Sequence, residues 1–184
     1  MAVSNKKRTG AHYVDNKKFY EEMKNYKALC REAEEVGDEY PRIPNYIGEC
    51  FYKIATKLSN RPNFNNYSYK EEMIGDGIEN CIHYVKSFNP DKSINPFAYF
   101  SQVVWNSFVH RIQKEKKQQY IKYKAMDNMV INNQHFVHSA DDAFHSITPE
   151  VHESTQKFIS SYEDNIEKNK KKKEKKALEL FIED

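Results

Sequence analysis

Apolar positions recur along this chain at helical, not strand, intervals. In "NKKFYEEMKNYKALCREAEEV" they fall on Phe19, Met23, Tyr26 and Cys30, three or four residues apart. That spacing predicts an amphipathic first helix, with Asn16 as N-cap and Gly37 as its stop. In "PRIPNYIGECFYKIATKLSNRPNF" a wider stripe of Ile47, Phe51, Ile54, Ala55 and Leu58 predicts a second, deeply buried helix from Pro44 to Ser59, which Pro62 ends. A polar, aromatic loop with Phe64 and Tyr67 follows. The third helix is predicted from Ser68 as cap, with Met73, Ile74, Ile78, Cys81, Ile82 and Val85 on its inner side. Inside it stand Gly75 and Gly77, each costing about 1 kcal/mol relative to alanine, which implies close approach by another helix or a partner.

The fourth helix opens at Asn95-Pro96, where proline forfeits no hydrogen bond, and runs to about Asp127. Its first half packs Phe97, Phe100, Val104, Phe108 and Ile112. Its second half, "QKEKKQQYIKYK", has little to bury and is expected to project or to lie on a polyanion. Residues 130–147 lack a period and read as a loop; a further helix is expected from Glu150 to Glu163. The chain thus divides into a flexible leader (1–15), a helical domain (16–128), a loosely defined extension of helix and loop (129–165), a lysine-rich tether (166–176) and an apolar C-terminal motif (177–184). The expected fold class is all-α, a compact helical bundle with a flexible C-terminal tail.

Composition agrees with this pattern: 184 residues suffice for one compact domain with tails, and only 5 Gly and 6 Pro interrupt it. The net charge of +2 conceals segregation, with acids enriched at 21–39 and 71–79 and Lys and Arg after residue 110. No apolar run reaches the roughly 20 residues that span a bilayer, and the basic N-terminus lacks the apolar core of a signal peptide, so a cytoplasmic location without membrane contact is expected. Cys30, Cys50 and Cys81 are odd in number and far apart, which predicts buried thiols in place of a disulfide frame or zinc site. His135 and His138 could share a helical face, but nothing beside them completes a metal site. No phosphate-cradling loop, nucleophile elbow or His-Glu metal motif is present, and Asp76 with Glu79 is an ordinary pair of helical acids. The chain is therefore read as non-enzymatic and free of cofactor.

Nucleic-acid binding has better support, because cations neutralise phosphates while aromatic rings give unstacked bases a surface worth about 1–3 kcal/mol each. The stretch "SFNPDKSINPFAYFSQVVWNSFVHRIQKEKKQQYIKYK" supplies both.

The run "EEMIGDGIENCIHYVKSFNPDKSINPFAYFSQVVWNSFVHRI" resembles region 2 of the bacterial sigma factors: an acidic helix ending in Phe, a turn with "NPDKS", then a helix opening on an aromatic pair and carrying Trp and Arg. The continuation "QKEKKQQYIKYK" and the isolated apolar ending "ALELFIED" are similar to the late-promoter sigma factors of T-even-like bacteriophages. The resemblance covers about residues 12–126 and the final tail. It implies a fold like sigma domain 2 in a phage protein acting in the host cytoplasm, where it directs host RNA polymerase to late promoters.

On the matching positions, Glu72, Asp76, Glu79 and Ile82 would dock on the clamp helices of the polymerase β′ subunit. Tyr99 would hold a flipped base of an AT-rich −10-like element of promoter DNA, with Trp105, Phe64 and Tyr67 as lesser candidates. Asn106 and His110 would read its upstream edge, and Arg111, Lys114, Lys116 and Lys117 would track phosphates. Gln102 and Val103 replace the adjacent tryptophans common in the family, which leaves Gln102 on the DNA-facing side without a wedge. Leu178, Leu180, Phe181 and Ile182 resemble a sliding-clamp-binding end, for which the lysine-rich segment would be the tether. A late-transcription co-activator is a further partner the resemblance allows. The alternative reading is a single-stranded DNA-binding or recombination adaptor that uses the same basic helix without sequence choice.

Overall fold

The computed structural model describes the backbone of residues 13–133 and 149–182 and the side chains of 13–128 and 151–174. Every α-helix or strand assigned among these residues is helical: α1 (Asn16–Val36), α2 (Asn45–Ser59), α3 (Lys70–Tyr84), α4 (Pro96–Asn133) and α5 (Pro149–Ile182), with a 3₁₀ turn at Val85–Ser87. The fold is all-α, and no described helix is long and apolar enough to cross a membrane. The chain divides between Ile112 and Gln113 into two units.

In the first unit, the four apolar stripes meet in one core. Phe19 and Met23 of α1, Ile47, Phe51 and Ile54 of α2, Met73 and Cys81 of α3 and Phe100, Val104 and Phe108 of α4 are all almost completely removed from water. Aromatic rings interlock at its centre: Phe51 lies 4.6 Å from Phe100 at a tilt, and Phe19 lies 5.7 Å from Phe100. Gly77 lets α3 close on α4, because an alanine Cβ there would stand 3.0 Å from Cε1 of Phe108 and 3.2 Å from Cγ1 of Val104. Gly75 has nothing within 4 Å, so no neighbour inside the fold requires it.

Two helix starts differ from expectation. Asp15, not Asn16, caps α1: its carboxylate accepts from the backbone N–H of Lys17 at 3.0 Å and of Lys18 at 3.2 Å. A charged acceptor at the positive end of the helix prevails over a neutral amide. Asn16 instead accepts from the backbone N–H of Phe97 at 3.2 Å and so ties α1 to the start of α4. Ser68 makes no cap, since α3 begins at Lys70 without a side-chain cap bond and carries Glu71 and Glu72 in its first turn. Gly37 ends α1 as expected, in the left-handed conformation at φ 79°. Ile82, expected inside, is 50% exposed, whereas Val85 and Phe88 are buried.

The second unit pairs the distal part of α4 with α5. Tyr120 stacks on Tyr162 at 4.6 Å and Tyr123 meets Phe158 edge-on at 5.4 Å. The Tyr120 hydroxyl donates to Glu163 at 2.8 Å, Lys124 bridges the same carboxylate at 3.1 Å, and Gln156 donates to Asp127. Thr155 and Ile159 are buried. The expectation that this part of α4 had little to bury is thus corrected: its tyrosines have partners on α5. Residues 166–176, expected as a flexible tether, lie within α5, whose helix begins at Pro149 and continues to Ile182. The expected loop 130–147 lies outside the described residues except for 130–133, which are helical.

Candidate nucleic-acid interface

The start of α4 is fixed by a chain of turn hydrogen bonds that the sequence "NPDKSINP" makes possible. The Asn89 side chain accepts from the N–H of Asp91 at 2.9 Å, and the Asn95 side chain accepts from that of Ala98 at 3.0 Å. Between them, the Pro90 carbonyl accepts from the Tyr20 hydroxyl at 3.2 Å and Asp91 bridges Arg31 at 3.2 Å, pinning the turn to α1. Pro96 occupies the first helical position and is buried.

From this anchor the helix presents two sides. Phe100, Val104 and Phe108 enter the core, joined by Ser107, which accepts from Asn80 of α3 at 3.1 Å. Tyr99, Gln102, Asn106 and His110 follow one another at three and four residues and so lie in one stripe. Gln102, Asn106 and His110 are exposed, and the Gln102 amide donates to the Asn106 carbonyl oxygen at 2.9 Å. Tyr99 is half-buried, with its ring against Phe88 at 5.3 Å and Phe100 at 5.0 Å. Burial raises its hydroxyl above the ordinary phenol value, with the nearby Tyr84 and Cys81 adding to the shift.

Beside the stripe runs a groove of about 450 Å³ that the sequence reading missed. Tyr13, Phe97 and Trp105 form its aromatic walls, Lys57 in the last turn of α2 and Arg61 just beyond it supply cations, and Gln102 borders it. Its volume falls within the roughly 300–1,000 Å³ of ligand clefts. Tyr13 meets Phe97 edge-on at 5.6 Å, and Trp105 is held at 4.7 Å by Phe64. The signal was the i, i+4 pair Lys57 and Arg61, hidden at the end of an otherwise apolar stripe. Phe64 itself is buried against Phe108 at 5.1 Å, so its expected role as a stacking helper is corrected. Tyr67 is half-buried beside Tyr69 at 5.2 Å.

Two residues assigned to different partners stand together. Arg111, expected on phosphates, bridges Asp76, expected on a polymerase, at 3.5 Å with both side chains partly buried. In this state the pair ties α4 to α3 and neither charge is free for an outside partner. Glu72 and Glu79 remain exposed on α3 with Ile82 and Gly75. Ile82 also borders a shallow groove of about 550 Å³ with Ile43, Pro44 and Gly48. Lys114, Lys116 and Lys117 are exposed in the second unit. The side chains of Leu178, Leu180, Phe181 and Ile182 lie outside the described residues, as do His135 and His138.

No family model matches this chain, and no curated protein matches it. Its chemistry therefore has to be read from its own groups. Among the described residues no cluster of His, Cys, Asp and Glu could hold a metal ion. The three thiols are buried and unbridged, and burial pushes that of Cys81 up to about 12, so it stays protonated and unreactive at neutral pH. What the surface offers is amide edges, aromatic walls and cations, the groups that hold bases and phosphates.

Proposed function

We propose that this protein is a promoter-specificity subunit of the sigma type, which joins a host RNA polymerase core and captures an AT-rich −10-like element at late phage promoters. The observation that carries the reading is the exposed amide stripe of α4 running beside a groove with aromatic walls and two cations. Asn106 can pair with an adenine edge, donating one hydrogen bond to N7 and accepting one from the N6 amine, once it releases Gln102. Tyr99 holds a flipped base, and Lys57 and Arg61 draw the strand toward the groove. The exposed acids Glu72 and Glu79, with Ile82 and the uncovered Gly75, form the surface for the β′ clamp helices. Leu178, Leu180, Phe181 and Ile182 bind a DNA sliding clamp, and chemistry remains with the polymerase.

The test is transcription by core polymerase plus this protein from a template carrying an AT-rich −10 site and from one with that site scrambled. Initiation on the first alone is expected. Equal affinity for random single strands, with no effect on initiation, would sink the proposal in favour of a single-stranded DNA adaptor. Removing Leu178 to Asp184 should abolish stimulation by a sliding clamp and spare basal initiation.

A further inference from the structure

The lysine-rich part of α5 is a helix that stands in solvent over all its described residues. Residues 163 to 174 are all exposed, so no packing against a core stabilises the turn from Lys168 to Lys173. Lys168 and Lys172 repel each other at i, i+4, and Lys168 with Lys171 and Lys170 with Lys173 do so at i, i+3. Among the described residues only Lys171 in this turn has an ion-pair partner, Glu167 at 2.6 Å. A helix of this kind gains stability when its charge is neutralised from outside.

The arrangement of the charges says what kind of polyanion fits. At 100° per residue, the consecutive Lys170, Lys171, Lys172 and Lys173 point to every side of the helix. A flat row of phosphates would meet one side and leave the others unpaired. A groove with phosphates on both walls meets them together, and the major groove of B-form DNA, about 12 Å wide, admits a helix of about 10–12 Å. The deep, narrow major groove of A-form RNA does not. The only neutral polar side chains nearby are Asn165 and Asn169, too few to read a sequence.

We propose that Lys168 to Lys173 form a sequence-independent grip that lies as a helix in the major groove of duplex DNA. This stands apart from the promoter reading, since it needs neither polymerase nor a −10-like site. The experiment compares the full chain with its K168Q/K170Q/K171Q/K172Q/K173Q variant on a random 20-base-pair DNA duplex between 50 and 200 mM NaCl. With about 0.9 units of log–log salt slope per phosphate contact, the five-lysine grip predicts a slope steeper by about 4.5, and wild-type affinity falling about 500-fold more than the variant's. Lys170→Gln alone should lower the slope by about 0.9. Far-ultraviolet circular dichroism should show the helix of α5 kept, with no loss of signal, on adding the duplex to the wild-type chain. Equal slopes for the two chains would overturn the proposal. So would equal binding, with the same salt slope, to an A-form RNA duplex or to anionic phosphatidylserine vesicles. A slope difference accompanied by loss of helix would make the lysines a solvated chain and refute their placement in the groove.

Discussion

The two glycines of α3 give the sharpest test of how the first unit is built, because one sits against the core and the other against nothing. In Gly77→Ala the new Cβ would approach Cε1 of Phe108 to 3.0 Å and Cγ1 of Val104 to 3.2 Å. Neither can retreat easily: both are fully buried, and the Phe108 ring is backed by Phe64 at 5.1 Å. Overpacking of a filled core costs about 1–3 kcal/mol, from which the helix preference of alanine recovers about 1. The net loss is about 1 kcal/mol, or a fall of about 4–8 °C in the melting of a unit this size. Gly75→Ala meets no atom within 4 Å and should keep the full gain in helix preference, about 0.5–1 kcal/mol, raising the midpoint by a few degrees. If a polymerase helix lies over this surface, the same Gly75→Ala should weaken core binding while it stabilises the free protein. Thermal melts followed by circular dichroism and a polymerase pull-down read both quantities. A Gly77→Ala chain more stable than wild type would refute the packing at α3 and α4, and Gly75→Ala with undiminished core binding would remove the partner-based reason for that glycine.

Glu72→Lys and Glu79→Lys should abolish polymerase binding at an unchanged melting point, whereas Asp76→Lys should lower both, because it also strands Arg111; a stable Asp76→Lys protein would contradict the bridge. A double-mutant cycle of Asp76→Ala and Arg111→Ala should give a coupling of about 1 kcal/mol, and strict additivity would dismiss it. Lys57→Glu with Arg61→Glu should weaken capture of single-stranded promoter DNA at least tenfold and leave binding to core polymerase intact; equal loss of both would mean that the groove is not the DNA surface. Burial holds Tyr26, Tyr46 and Cys81 up to about 12, above ordinary values of 10.0, 10.0 and 9.0. The unfolded chain therefore releases these protons first, so stability present below about pH 9 should be lost progressively as pH rises towards 12, and melts that stay level from pH 8 to 11.5 would contradict that.

Much of the first unit was legible because its apolar residues obey one period without interruption: Phe19, Met23, Tyr26 and Cys30, or Ile47, Phe51, Ile54 and Leu58, can face only one way on a helix. What escaped were features decided between elements. Nothing local marks Phe64 as buried, since its burial comes from Trp105 and Phe108, some forty residues on. The Asp76–Arg111 bridge joins residues that read separately as two surface charges. The seam of the second unit was hidden for another reason: Tyr120, Tyr123, Phe158 and Tyr162 are spread among lysines and glutamates, so neither helix shows a clear stripe by itself. The grooved part of the candidate site was illegible because Tyr13, the end of α2 and α4 reach it from three distant places in the chain.

Under the proposed function, the choice of aromatic to hold a base is narrowed by what each ring already touches. Phe64 is used up in the core, and Trp105 is braced edge-on by it, which leaves Trp105 as a fixed wall of the groove more than a mobile wedge. Tyr99 differs, since it is supported by Phe88 and Phe100 yet keeps part of its surface in the stripe of Gln102, Asn106 and His110. Phe88 and Phe100 are themselves buried, and the turn between them is hydrogen-bonded to α1. A ring held this way loses little rotamer entropy when a base stacks on it, so more of the stacking energy remains as affinity. The absence of adjacent tryptophans at Gln102 and Val103 then has a physical consequence. Under the proposed sigma-type function, a prepositioned tyrosine without a paired wedge equips the chain better to hold an unstacked base than to force one out, and a closed duplex would need its opening supplied by the polymerase.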